Sequence, residues 1–483
     1  MSILNEKLVD TILFDVGSTF TKATAIDNLN GELVWLARAQ APTTVKDINH
    51  GLSEALNALA AALNAEKIMA HTIQATSSAA GGLRMVAMGF MPRVTAKAAK
   101  EVAMNAGARV LEVMSFEDEP ENKLEMLREI QPDIILLAGG TDGGNQISLV
   151  EDAQLIANSK VKAIVVIAGN VSIQPQAEAI LQKVGISTVR VANVMPTIHS
   201  LNVKPAREAI HEQFIHQITN AKGLGKLIDR LTVNKVIPTP GAILLATELL
   251  AKGTREEKGI GNLAVVDLGG ATTDIHSVLP YLDELSIEEI GLILTNEKQL
   301  SYRTVEGNLG LRVSARGIIE AAGEKAILNH VGFEDEELEK SLDNYTIQLE
   351  ANPEYLAVSK QDKLFDYAMA GTAVEIAFKR HAGYIAQHFD SVMGIVPGTP
   401  VGRDLRRINT VIAVGGFFTA LSDEEASTII KDAMRNPGIS LLPAADINVI
   451  IDKYYLLYAI GLLAEYRPTQ ALRFAKRHFG IID

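Results

Sequence analysis

Asp15-Val-Gly-Ser-Thr-Phe-Thr-Lys22 follows an apolar strand candidate at Thr11–Asp15. The same grammar returns as Asp267-Leu-Gly-Gly-Ala-Thr-Thr-Asp274 after Leu263–Leu268. Each reads apolar run, aspartate, aliphatic residue, glycine, small residues, threonine. A third turn, Val414-Gly-Gly-Phe-Phe-Thr419, ends the strand candidate Thr410–Val414 with Gly415 and Gly416. Glycine lets backbone N–H groups approach phosphate oxygens with no Cβ in the way. Ser18, Thr19, Thr21, Thr272 and Thr273 add hydroxyl donors. Asp15 and Asp267 are hard oxygen ligands at strand ends, suited to Mg²⁺ that keeps most of its waters and bridges to phosphate. Any one loop alone also fits an ordinary strand-to-turn glycine. The repeat, followed by the Gly-Gly turn, argues for two similar halves facing each other across a cleft.

Around the first loop, Lys22–Asp27 and Leu33–Ala39 read as strands joined by the turn Asn28-Leu-Asn-Gly31. Leu52, Leu56, Leu59 and Leu63 repeat at helical spacing, and His71–Ala75 reads as a further strand. From about 96 the pattern is a βα series. Its strands are Arg109–Val113, Ile134–Ala138, Ala163–Ala168 and Ser187–Val191, with helices near 121–130, 146–158 and 175–184. That series predicts a Rossmann-like unit. Residues 334–388 read as charged and helical, with Asp335-Glu-Glu-Leu-Glu-Lys340 as a solvated face, and 453–478 as helical. The gap between the two aspartate loops far exceeds that between the second and third loops, so the first half carries the extra unit. The expected organisation is a first lobe at 1–95 plus 233–258, closed by C-terminal helices at 453–483. The inserted unit is expected at 96–232, and a second lobe at 259–452 with a helical subdomain at about 334–388.

Composition narrows the function classes. The chain has 483 residues, 47% apolar and 21% charged, enough for a large core. A formal charge of −13 argues against nucleic-acid or anionic-membrane surfaces, which need a concentrated basic face. With no cysteine, disulfides, thiolate catalysis and Cys-held zinc or iron–sulfur centres are excluded, and a cytoplasmic setting is the natural expectation. The start MSILNEKLVD has no apolar h-region, so no signal peptide is expected. The longest apolar runs, Tyr454–Ala464 and Gly241–Ala251, fall short of the roughly 18 residues a membrane span needs.

Other patterns weigh less. Gly259-Ile-Gly-Asn-Leu-Ala264 has dinucleotide-fingerprint spacing but precedes a strand instead of following one, and no P-loop is present. Asp274-Ile-His276 begins like a cobalamin-ligand signature, but Leu279 stands at the glycine position, which argues against His276 as a cobalt ligand. The histidine pairs His211/His216 and His381/His388 lack the spacing of a helical zinc site. Ala138-Gly-Gly-Thr-Asp-Gly-Gly144 either cradles an anion or makes a tight βα turn. Ser77–Gly82, continuing to Leu83-Arg84-Met85, either approaches a terminal phosphate or is a plain turn.

The three loops resemble the phosphate-1, phosphate-2 and adenosine motifs of the actin/Hsp70/sugar-kinase ATPase superfamily. Gly241–Leu250 and Tyr454–Ala464, the latter with Gly461 inside it, resemble its two connecting helices. The resemblance implies an α/β fold of duplicated actin-like, ribonuclease H-like halves with an inserted Rossmann-like domain. It implies ATP and Mg²⁺ as cofactors, with Asp15 and Asp267 catalytic and metal-binding. Gly17, Ser18, Thr19, Thr21, Lys22, Gly269, Gly270, Thr272, Thr273, Gly415 and Gly416 would then hold the nucleotide. Taken with Ser77–Arg84 and Ala138–Gly144, the chain resembles the MutL (GlmL) family associated with adenosylcobalamin-dependent glutamate (methylaspartate) mutase. That implies an ATP-using reactivating chaperone whose partners are mutase subunits and ATP, with no nucleic acid and no membrane. The Asp15–Lys22 string also resembles ATPase activators of 2-hydroxyacyl-CoA dehydratases, but those hold an iron–sulfur cluster through cysteines. A small-molecule kinase of the same superfamily, with Asp267 as base, and an actin-like filament protein are the alternatives.

Overall fold

A computed structural model describes residues 5–17, 20–43, 48–78, 84–90, 109–197, 202, 205–206, 208–210, 212–213, 236–280, 301–333, 335–389 and 395–481. Seventeen strands fall within them: β1 (Glu6–Val16), β2 (Phe20–Asp27), β3 (Val34–Pro42), β4 (Lys67–Ser77), β5 (Arg84–Met88), β6 (Arg109–Met114), β7 (Ile134–Leu137), β8 (Ile164–Ile167), β9 (Thr188–Arg190), β10 (Val236–Pro238), β11 (Leu263–Leu268), β12 (Thr273–Val278), β13 (Ser301–Glu306), β14 (Tyr384–Ile385), β15 (Pro400–Val401), β16 (Thr410–Val414) and β17 (Asn448–Ile451).

The first sheet has the order β10-β4-β1-β2-β3, and the second β13-β12-β11-β16-β17. In the first, β1, β2 and β3 form an antiparallel meander, while β4 and β10 run parallel to β1. In the second, β11, β12 and β13 form the meander, while β16 and β17 run parallel to β11. Antiparallel neighbours need only a tight turn, whereas parallel neighbours need a crossover. The helix Ile48–Ala62 supplies one crossover after the first meander, and the helix Asp423–Arg435 lies between β16 and β17. Repeated order, repeated directions and repeated aspartate hairpins make the fold a duplicated α/β architecture, as the sequence implied.

Two helices join the halves. Thr239–Lys252 packs on the second sheet, and Leu457–Ala464 packs on the first and against Thr239–Lys252. Their close approach depends on Gly461, where an added Cβ would strike the carbonyl of Ala242. Around this crossing lies a core shared by both halves: Leu13 and Ile26 from the first, Val265, Ile412 and Val414 from the second, with Ile243, Ile460 and Leu463 between. The C-terminal segment is two helices, broken at Pro468, which opens Pro468–His478.

The third sheet is wholly parallel, in the order β6-β5-β7-β8-β9. It starts before residue 96, because β5, paired between β6 and β7, is Arg84–Met88, a segment expected to belong to the first lobe. Strands covered on both faces read as short apolar runs without alternation, so β5 carried no period to expose it. One face of this sheet, with Met85, Ala87, Ile134, Leu136 and Val166, shares a core with Val9, Ile12, Phe14 and Val16 of β1. The other face, with Val86, Met88, Ile135, Leu137, Val165 and Ile167, is covered by Leu127, Leu149, Ile156, Ala177 and Leu181. The insert is therefore built into the first lobe.

The charged stretch near 334–388 forms the helices Glu336–Ala351 and Lys360–His381, the first capped by Asp335, which accepts from the N–H groups of Glu337 and Leu338. Among the described residues no helix is long and apolar enough to cross a membrane.

Candidate nucleotide site between the two halves

The two aspartate hairpins are built alike. Gly17 N–H donates to the Phe20 carbonyl at 3.0 Å, and Gly269 N–H donates to the Thr272 carbonyl at 2.9 Å. Across each hairpin the aspartate faces the residue seven positions on, Asp15 opposite Lys22 and Asp267 opposite Asp274. The strand period of two then sorts the side chains. Thr21 and Thr273 point to the opposite face and are fully buried. Thr21 Oγ1 meets Thr43 Oγ1 at 2.9 Å, and Thr273 Oγ1 donates to the Leu309 carbonyl at 2.5 Å. These two threonines, expected to hold nucleotide, instead fix the hairpins from behind. Thr272 stays partly exposed, with its hydroxyl 3.2 Å from Asp274 Oδ2. Ser18 and Thr19, also expected to contact nucleotide, lie outside the described residues.

Asp15 is buried and densely partnered. Its Oδ2 accepts from Lys22 Nζ at 2.8 Å, and its Oδ1 accepts from Thr76 Oγ1 at 2.9 Å and Thr239 Oγ1 at 2.6 Å. Thr76 ends β4 and Thr239 opens the helix Thr239–Lys252, so this carboxylate ties three elements together. Asp267 differs. It is partly accessible and makes no hydrogen bond among the described residues. Burial, then the neighbouring Asp274 carboxylate, push it up to about 7. Lys22 opposes that rise, Asp15 adds to it and Arg303 opposes it. Groups of both halves thus act on one carboxylate. Asp274 is held by Arg303, whose Nε donates to Oδ1 at 2.8 Å.

Tyr455 completes the floor. Lys22 Nζ lies 3.5 Å from the centroid of its ring. Burial, then Asp267, Asp15 and Asp452, push its hydroxyl well above the ordinary tyrosine range, so it stays neutral.

In the third turn the two glycines do different work. At Gly415, φ is 128° and an added Cβ would strike the Leu268 carbonyl, so this glycine lets β16 lie against β11. At Gly416 an added Cβ would meet nothing, leaving bare backbone beside open space. Gly269 and Gly270 lie under the segment Leu311–Val313, whose N–H groups donate to their carbonyls at 2.7–3.1 Å.

The donor set fits hydrated Mg²⁺ better than a dry metal site. Among the described residues no group of three or more His, Asp or Glu is placed to hold a metal ion. Mg²⁺ bound by one or two carboxylates, waters and phosphate oxygens needs no such group. Asp267 has coordinating capacity to spare, while the oxygens of Asp15 are already engaged by Lys22, Thr76 and Thr239.

A family model described as MutL protein matches residues 11–479. The chain belongs to this family. It is 38% identical over 477 residues to Protein MutL of Clostridium tetanomorphum, covering 97% of this chain and 98% of that one. Among solved structures it is similar to the activator of the 2-hydroxyisocaproyl-CoA dehydratase from Clostridium difficile with bound ADPNP, at 10% identity over 97% of each chain and a TM-score of 0.33. It is also similar to a glycerol dehydratase reactivase, at 12% identity over 89% of this chain and 95% of that one, with a TM-score of 0.33. A xylulose kinase from Lactobacillus acidophilus gives 10% identity over 98% and 90%, with a TM-score of 0.30.

Sequence reasoning missed Thr76, Thr239, Arg303 and Tyr455. No local pattern marks them, since each joins the site through sheet pairing or helix placement. The Ala138–Gly144 loop joins β7 to the helix Ile147–Ser159. The N–H groups of Asp142, Gly143 and Gly144 are used by the Pro196 carbonyl, Asn170 Oδ1 and the Thr141 carbonyl, which leaves these donors unavailable to an anion. His276 is fully buried, and its charge is disfavoured by burial and Arg303, so it remains neutral and unreachable by cobalt.

Proposed function

We propose that the protein is an ATP-using accessory factor that reactivates an adenosylcobalamin-dependent glutamate (methylaspartate) mutase by helping exchange damaged cobalamin. The observation that carries the ATP half is the pair of matched aspartate hairpins whose charged groups act on one another between the halves. The mutase half is supported by family membership. In this reading the nucleotide lies between the lobes. Its phosphates lie beside the two hairpins, where Gly17, Gly269 and Gly270 leave room for them, with the hydroxyl of Thr272 and the ammonium of Lys22 as donors, and its adenosine lies beside Gly416. Mg²⁺, when bound, neutralises phosphate charge. Asp267 would hold it and would orient the attacking water, while Asp15 keeps Lys22 in place.

The insert is the partner-facing element, acting in the cytoplasm on mutase subunits. The ATPase parts are complete without it, and its strands β6, β7 and β8 are followed by exposed apolar residues: Phe116, Ile147 and Val171. Small-molecule kinase activity is the second reading, favoured by an Asp267 carboxylate poised near neutrality, where a general base works best.

A coupled ATPase assay with and without purified glutamate mutase separates the readings. Hydrolysis linked to recovery of cobalamin-inactivated mutase is expected, with Asp267→Asn lowering turnover more than ATP binding. Unchanged turnover in that variant removes Asp267 from the site, and phosphorylation of a small molecule in place of mutase recovery overturns the chaperone reading.

A further inference from the structure

The geometry points to Tyr455 as the residue that positions Lys22 for the nucleotide phosphates, an inference that rests on the nucleotide reading of the cleft. Lys22 Nζ is 2.8 Å from Asp15 Oδ2 and 3.5 Å from the Tyr455 ring centroid. An ammonium has three donors and no acceptor. Asp15 takes one of them. The ring attracts the cation through its negative face without neutralising it, so the charge remains available to an incoming phosphate. A lysine stem is flexible, and fixing it between a carboxylate and a ring removes most of that freedom before a ligand arrives.

The backbone of Tyr455 sustains this assignment. Its φ is 51°, a left-handed conformation that a bulky side chain adopts only where its surroundings enforce it. Glycine or asparagine would sit there with less strain. The surroundings that enforce it are visible. Tyr455 N–H donates to the Asp452 carbonyl at 3.1 Å. The buried Asp452 carboxylate accepts from the N–H groups of Leu456 at 2.9 Å and Leu457 at 2.8 Å, at the start of the helix Leu457–Ala464. Tyr454 leaves the other side of the turn and packs on Trp35, with ring centroids 4.5 Å apart. The turn is held from both sides, so the Tyr455 ring cannot leave Lys22 without disturbing the helix that joins the halves. Tyr455 touches no phosphate in this scheme and acts through Lys22 alone.

The full-length variants Tyr455→Phe, Tyr455→Leu and Tyr455→Asn test it in two assays. In ATP hydrolysis, Tyr455→Leu and Tyr455→Asn are expected to lower kcat about tenfold, the size of a partly desolvated cation–π contact, with KM changed less than about twofold. Tyr455→Phe keeps the ring face and is expected to match the wild type. Tyr455→Asn accepts the left-handed backbone, so a retained melting midpoint with lost turnover separates positioning from fold support. Wild-type turnover in Tyr455→Leu, or a Phe variant as impaired as Leu, overturns the proposal. The second assay needs no nucleotide. With ¹³C-labelled lysine, the Lys22 ε-methylene signal is expected upfield from ring current in wild type and Tyr455→Phe, and at ordinary shift in Tyr455→Leu. A wild-type signal at ordinary shift overturns the inference on its own. A wild type that shows the ring-shifted signal but neither binds nor hydrolyses ATP overturns the nucleotide reading, and with it the role of Tyr455 toward phosphates, while leaving the Lys22–Tyr455 contact standing.

Discussion

Asp15 and Asp267 occupy equivalent positions of a repeated hairpin and carry opposite burdens. Asp15 is stabilised by an ammonium and two hydroxyls, whereas Asp267 stands near Asp274 and Asp15 with its charge poorly compensated. The raised value, about 7 against an ordinary 3.8, has a definite linkage sign. The unfolded chain loses this proton near its ordinary value, while the fold retains it to about 7. Stability without ligand is therefore greatest, as far as this group goes, at acidic pH. It falls as pH rises from about 4 through about 7, by at most about 4 kcal/mol. Asp267→Asn removes that slope, so in thermal melts without Mg²⁺ the variant should exceed the wild type at pH 8, with the gain vanishing near pH 4. An equal gain at both pH values contradicts the assignment. In the proposed ATPase reading the same carboxylate sets the pH profile of hydrolysis. At limiting Mg²⁺, kcat/KM for ATP should rise through pH about 7, and added Mg²⁺ should move that midpoint downward because the cation competes with the proton. A flat profile between pH 6 and 8 would separate Asp267 from the chemistry.

Among the elements, the crossing of Thr239–Lys252 and Leu457–Ala464 joins the halves. Thr239 opens the first helix on Asp15, and the turn ahead of the second carries Tyr455 beneath Lys22. Movement between these helices therefore reaches the Asp15–Lys22 pair directly. Gly461→Ala places a methyl against the backbone of Ala242, which cannot rotate aside as a side chain would. The cost expected for forced separation is about 1–3 kcal/mol. A lower melting midpoint together with weaker ATP binding is the expected result, measured by calorimetry and nucleotide titration. A variant with lowered stability but wild-type ATP affinity would show the crossing to be structural only. Gly461 was marked in sequence through the resemblance of its helix to a connecting helix, where a small residue allows close crossing. Its partner Ala242 was not, since nothing local marks which residue lies opposite.

On the scale of the molecule, the insert belongs to one hydrophobic core with β1 and the helix Ile48–Ala62, so excising it would open that core. The proposed partner role is better probed at the carboxyl ends of its strands. The order β6-β5-β7-β8-β9 reverses direction between β5 and β7, and in open parallel sheets the strand ends at such a reversal are where ligands gather. Phe116 and Ile147 follow β6 and β7 there, and both are more than half exposed. The double variant Phe116→Glu, Ile147→Glu should retain ATP binding and lose mutase recovery, read by nucleotide titration and reactivation assay. Full recovery would move the partner surface elsewhere, first to the helices Glu336–Ala351 and Lys360–His381.

The sequence by itself determined the duplication, the three glycine turns at strand ends, the existence of an inserted parallel unit and the two helices that join the halves. Each of these leaves a local trace, because an apolar run ending in aspartate, glycine and threonine is read within eight residues. Tertiary structure alone decided which side chains face the cleft. The strand period turned Thr21 and Thr273 inward, and sheet pairing brought Thr76 to Asp15. Strand contact took Gly415 for packing and left Gly416 open. It also placed β5 in the insert, where burial on both faces erased the alternation that would have marked it. The differing environments of Asp15 and Asp267 belong to the same class. Two identical residues in matching hairpins diverge partly because their local hairpin partners differ, Lys22 against Asp274, and partly because long-range pairing and packing bring Thr76 and Thr239 to Asp15 and Arg303 to Asp274.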